Sequence, residues 1–201
     1  MATKEDILEQ VVEEYLIHKG YFVQHNIKFL PRKDHPDFDR LKDSNHSDID
    51  VLGFNPLRQG PARVVAVSCK SWQSGFRPAS EIAAIEANKT LRGRKAWQAF
   101  RELCVPKWSE AFVDEVRRRT GEAEFTHVTA VSRLRGERRV WEEHGPFREA
   151  LQGNPVELWT FAEMVGSIQG ALTMTLAATE VGRLLQLMAA SGLRVEGSGA
   201  D

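Results

Sequence analysis

Two short stretches of this chain carry side chains that could do chemistry. Asp48-Ile49-Asp50 holds two carboxylates two residues apart, and Ser68-Cys69-Lys70 holds a hydroxyl and an ammonium with the same spacing. Residues i and i+2 of a strand point to one face of a sheet, so each pair would share a face. Carboxylates beside an ammonium across two paired strands can hold a hard divalent cation and steady a phosphate. The plainer alternative is a cross-strand ion pair at a sheet edge, which is worth little to stability.

The elements that must position these residues are legible around them. Asp48–Phe54 and Arg63–Lys70 read as strands, and the link from Asn55 to Ala62 carries Pro56, Pro61 and Gly60, which is turn chemistry. An antiparallel hairpin closed by that turn pairs residues whose numbers sum to about 118, within a slip of about two residues. Asp50 then lies opposite Ser68, with Lys70 one diagonal step away. Cys69 points to the other face with Val65 and Val67, as a core residue rather than a nucleophile.

Before the hairpin, Ile7, Leu8, Val11, Val12, Tyr15 and Leu16 recur at helical spacing, and Gly20 ends that helix. Tyr21 to Leu30 reads as a strand, so the first three strands form an antiparallel meander. After it come a helix from Glu81 towards Thr90 capped by Ser80, and a helical stretch from Lys95 to Cys104. A further helix opens at Pro106, runs to Arg119 and stops at Gly121. Strands at Phe125–Leu134 and Val156–Thr160 flank a short helix at Phe147–Leu151. A long apolar helix runs from Phe161 to about Ser191, with Gly170 and Gly182 as points where it could bend. Glu196 to Asp201 reads as a frayed tail. This order predicts an α/β layer fold with a mixed sheet.

Composition narrows the function. The chain has 201 residues, 42% hydrophobic and 27% charged, with a net charge of -1, which excludes a disordered or low-complexity protein. No stretch approaches the length of a membrane helix, and no signal peptide is expected. Two distant cysteines, Cys69 and Cys104, imply neither a disulfide framework nor a zinc site and suggest a reduced, cytoplasmic protein. The charge is locally uneven. From Lys89 to Arg119 nine Lys and Arg face four acids, a surplus of +5, whereas Asp37 to Asp50 holds five Asp against Arg40 and Lys42. A basic flank beside an acidic patch suits a metal-using nucleic-acid enzyme. Lys89, Arg92, Arg94 and Lys95 are its candidate phosphate contacts, and Trp72 with Gln73 stands at the mouth of the Lys70 strand, where an indole could stack on a base. The six histidines have no zinc spacing and most read as surface or loop residues, with His46 placed to touch a phosphate. There is no phosphate-cradling glycine loop, which argues against an NTPase.

Ser47-Asp48-Ile49-Asp50-Val51-Leu52 followed by Val65-Ala66-Val67-Ser68-Cys69-Lys70-Ser71-Trp72 resembles the PD-(D/E)XK nuclease superfamily. Leu8-Glu9-Gln10-Val11-Val12 followed by Gly20-Tyr21-Phe22-Val23 is similar to the first helix and strand of Mrr-type restriction endonucleases and archaeal Holliday-junction resolvases. The resemblance runs from about Asp6 to Asn88. It implies a single domain with a restriction-endonuclease-like three-layer fold, a central mixed sheet flanked by helices. The core would be 6–90 and 122–161, with a helical insertion at 93–121 and a long C-terminal helix in 161–192. It further implies Mg²⁺- or Mn²⁺-dependent phosphodiester hydrolysis, with DNA as the expected substrate. Asp50, the backbone carbonyl of Cys69 and, through water, Glu9 would hold the metal. Lys70 would orient the attacking water or stabilise charge on phosphorus. Glu13, one turn beyond Glu9, is a second candidate for its role.

One departure bears on activity. Ser68 stands where the superfamily has Glu or Gln, and a neutral hydroxyl cannot neutralise a dication. A working nuclease with an altered site and a nuclease fold that only binds nucleic acid both remain open. So does a third reading, in which the Asp–Lys pair is structural and the C-terminal helix makes a homodimer.

Overall fold

A computed structural model describes residues 6–91, 93–173 and 175–195. Five strands form the central sheet: β1 (Phe22–Phe29), β2 (Ser47–Phe54), β3 (Val64–Lys70), β6 (Thr126–Val131) and β7 (Val156–Thr160), in the order β1-β2-β3-β6-β7. The first three are antiparallel neighbours, as the meander predicts, and β6 runs parallel to both β3 and β7. The sheet is therefore mixed, with helices on both faces, in three α/β layers. No helix among the described residues is long and apolar enough to cross a membrane.

Alternation along the central strands feeds two cores. Val51, Val65, Val67, Val128 and Ala130 bury against α1 (Ile7–His18), α7 (Phe161–Ala171) and α8 (Glu180–Ala190), through Leu8, Val11, Val12, Leu16, Met164, Ile168 and Leu185. The other face presents Leu52, Val64, Ala66 and Val131 to α3 (Arg101–Cys104) and α4 (Pro106–Thr120), through Phe100, Leu103, Trp108 and Phe112. Two short helices, α5 (Arg139–Glu142) and α6 (Gly145–Ala150), add Trp141 and Phe147 to the same core. Asp6 caps α1 by accepting from the Leu8 N–H at 2.8 Å, and Gly121 ends α4 at φ 77°.

Three expected elements differ. The helix from Glu81 towards Thr90 is shorter: α2 runs Pro78–Glu86, opened by Pro78 rather than capped by Ser80, and Asn88 turns left-handed at φ 48° behind it. The insertion is not helical throughout. Gly93 at φ 80° reverses the chain between β4 (Thr90–Leu91) and β5 (Arg94–Lys95), and a 3-10 turn (Ala96–Ala99) broken at Phe100 precedes α3. The long C-terminal helix is two helices. Between α7 and α8 none of the described residues is helical, and the Thr179 hydroxyl caps the Gly182 N–H at 2.9 Å and starts α8. The threonines of that link favour extended backbone and caps over helix interior. The expected tail at Glu196 to Asp201 lies outside the described residues, and so does Arg92.

Candidate active site

The predicted hairpin register is observed. Val51 pairs with Val67 and Phe54 with Val64, so the sum of 118 runs down the ladder and sets Asp50 across from Ser68. Asp48, Asp50, Ser68 and Lys70 then share one face, at the end of β3 where the chain leaves the sheet. They line a cleft of about 170 Å³ with His46, Ser47, Gln98, Ala99, Arg101 and Glu102.

Within the cleft the contacts are specific. The Cys69 N–H donates to Asp50 Oδ2 at 2.6 Å, and no donor to Oδ1 is found among the described residues. Lys70 Nζ donates to Ser68 Oγ at 3.0 Å and lies 5.5 Å from the centre of the Phe100 ring. Burial pushes the Asp50 carboxyl up to about 6; Lys70 and the Cys69 N–H pull it down, and the charges of Asp48 and Glu102 push it further up. Asp50 is thus an acid whose negative charge the folded protein resists.

Glu102 was not singled out by sequence reasoning. It comes from α3, is 5% exposed, and sits 3.7 Å from Nε2 of His127 on β6, which is fully buried. That separation is too long for a hydrogen bond. Among the described residues, Glu102 Oε1 and both His127 ring nitrogens have no hydrogen-bond partner. Burial opposes the Glu102 charge, but His127 and Lys70 outweigh it and hold the carboxyl below the usual range. His127 is an exception among histidines expected to lie mostly at the surface or in loops. The sequence signal for Glu102 was a lone acid inside the apolar run Trp97, Phe100, Leu103, which a solvated helix face would not need.

Other expected site residues lie elsewhere. Glu9 does not line the cleft: its helix packs on the opposite face of the sheet, where its charge bears on the Cys69 thiol. The cause is the phase of α1, whose apolar stripe faces Val51 and Val65. Glu13 pairs with His25 of β1 at 3.3 Å. The Cys69 side chain joins the apolar layer under α1 as expected, and burial pushes its thiol well up, away from nucleophile chemistry. The Trp72 ring packs on Phe76 and Phe100 at 5.8 and 5.7 Å, which is a core role, while Gln73 is exposed.

Several side chains of the basic run are already paired or covered. Lys107 is tied to Asp43 at 2.6 Å, Arg118 and Arg119 are tied to Glu115, and Arg101 covers the Trp108 ring. Lys89 and Arg94 remain exposed on the β4–β5 segment, and Lys95 Nζ donates to the Asn88 carbonyl. This segment leads directly into Gln98 and Ala99 of the cleft wall.

No three His, Cys, Asp or Glu side chains among the described residues form a metal-binding group. Mg²⁺ is usually held by only one or two carboxylates, with water and substrate phosphate completing its shell. A half-buried Asp50 fits that role. Ser68, whose hydroxyl accepts from Lys70, adds no charge. No protein family, curated protein or solved structure significantly matches this chain.

Proposed function

We propose that this protein is a divalent-metal-dependent nuclease of the PD-(D/E)XK kind, hydrolysing phosphodiester bonds in DNA, with Mg²⁺ or Mn²⁺ as cofactor. The observation that carries the reading is the convergence of Asp50, Ser68 and Lys70 on one sheet face in one polar cleft. Asp50 would hold the metal through Oδ1, its other oxygen being fixed by the Cys69 N–H. The bound cation would supply phosphate polarisation and a more acidic water. Lys70, steered into the cleft by its bond to Ser68 Oγ, would stabilise negative charge growing on the phosphate. The exposed Lys89 and Arg94 would meet the phosphate backbone alongside, with His46 at the cleft's other wall. We place the protein in the cytoplasm, where both cysteines would stay reduced. Exposed Leu184 and Leu187 on α8 favour pairing of two copies through that helix.

Ser68 favours a second reading, in which the fold binds nucleic acid without cutting it. A Mg²⁺- or Mn²⁺-dependent cleavage assay on supercoiled, linear and branched DNA, run beside Lys70→Ala, separates the two. The nuclease reading expects cleavage that Lys70→Ala abolishes with the fold intact. DNA binding without metal-dependent cleavage in wild type would leave the second reading standing.

A further inference from the structure

We infer that Glu102 supplies the carboxylate that Ser68 lacks, so that Asp50 of β2 and Glu102 of α3 together take the divalent cation. This rests on the nuclease reading of the same cleft. Glu102 lines the cleft beside Asp50, Ser68 and Lys70, although it comes from a segment that the sequence resemblance does not reach. It is 5% exposed, and its Oε1 has no hydrogen-bond partner among the described residues. A buried carboxylate oxygen without a donor is costly, and folded proteins rarely keep one without use. His127 of β6, the side chain facing its Oε1, stops at 3.7 Å and completes no hydrogen bond.

The cleft's charges agree. Three acidic side chains, Asp48, Asp50 and Glu102, line the cleft with two basic ones, Lys70 and Arg101. Arg101 is drawn aside over the Trp108 ring at 4.6 Å, and the Lys70 ammonium donates to Ser68 rather than to a carboxylate. The acids are left with a surplus of negative charge around a small polar cavity, the condition a hard cation relieves. Fully buried on β6, His127 packs against Glu102 with its Nε2 3.7 Å from Oε1.

Titration of the full-length protein with Mn²⁺, following free Mn²⁺ by electron paramagnetic resonance, tests this without an activity readout. Wild type should bind Mn²⁺, and Glu102→Gln should weaken binding by at least about tenfold with an unchanged circular dichroism spectrum. Adding Ser68→Glu to Glu102→Gln should recover the affinity, because the carboxylate returns from β3; a merely structural Glu102 would not be rescued this way. If Asp50→Asn loses Mn²⁺ but Glu102→Gln binds it as wild type does, this inference is overturned and the nuclease reading stands. If wild type binds no Mn²⁺, both fall. Should Glu102→Gln fail to fold, carboxyl ¹³C spectra of wild type decide. Substoichiometric Mn²⁺ should broaden the Asp50 and Glu102 signals together, and a Glu102 signal left sharp overturns the inference.

Discussion

Two regions on opposite sides of the sheet, the α1–α8 contact and the cleft, treat their buried acids in opposite ways. Beneath α8, Glu14 is 2% exposed and partnered: it accepts from the Thr179 hydroxyl, and its Oε1 lies 3.3 Å from His18 Nδ1. It ties α1 to the cap of α8 so closely that a Cβ at Gly182 would collide with its carboxyl carbon and, at 2.8 Å, with Ala177. Across the sheet, Asp50 and Glu102 sit beside open volume, with one donor to Asp50 and none to Glu102 Oε1 among the described residues. The first arrangement closes a structure. The second leaves buried carboxylate oxygens short of donors beside open volume and disfavours the Asp50 charge, as binding and catalytic sites do.

The contrast breaks first at Glu14. Glu14→Ala removes the acceptor of Thr179 and opens a cavity between two helices, so it should cost about 3 kcal/mol in urea unfolding. It should leave Mn²⁺ affinity unchanged, and a weaker affinity would mean that the two faces are not separate systems.

Asp50→Asn should act with the opposite sign. The Asp50 carboxyl rises from 3.8 to about 6 on folding, so its neutral form is the one the fold prefers. Its contribution is fully present below pH 3.8 and is lost as pH rises through about 6. Asn keeps an acceptor for the Cys69 N–H without the charge. The variant should therefore gain up to about 3 kcal/mol near neutral pH, lose cleavage, and show a flatter stability profile across that window. Equal stability of the two proteins at every pH would remove Asp50 from the strained set.

The smallest effect belongs to the exposed cations. Lys89→Glu with Arg94→Glu should leave stability within about 0.5 kcal/mol. DNA affinity should weaken across sequences, and its salt slope should flatten by about one for each phosphate no longer neutralised. An unchanged slope would move the DNA path away from the β4–β5 segment.

What the sequence made legible is what local rules decide. The meander, its register and the shared face of Asp50, Ser68 and Lys70 follow from strand alternation and a short proline-rich turn. Glu102 and His127 meet across residues far apart in sequence, and no spacing rule reports such a meeting. Glu9 misled because its pattern defines a helix but not which sheet face that helix covers. The C-terminal helix reads as longer than it is because the small apolar residues around Gly170 look continuous, while the threonines between α7 and α8 act through extended backbone and capping.

The parallel pairing of β3 with β6 has a kinetic side. The strands are adjacent in space, yet Val65 pairs with Thr126 across the whole crossover that carries α2, α3 and α4. The loops of the antiparallel meander are shorter than this crossover, so it can form early, whereas closing the longer loop carries a larger entropic cost and comes late. Asp50, Ser68 and Lys70 belong to the early part, and Glu102 and His127 arrive with the crossover. A folding intermediate holding only the meander would carry half a cleft, so cation affinity should appear in refolding no sooner than the last docking step.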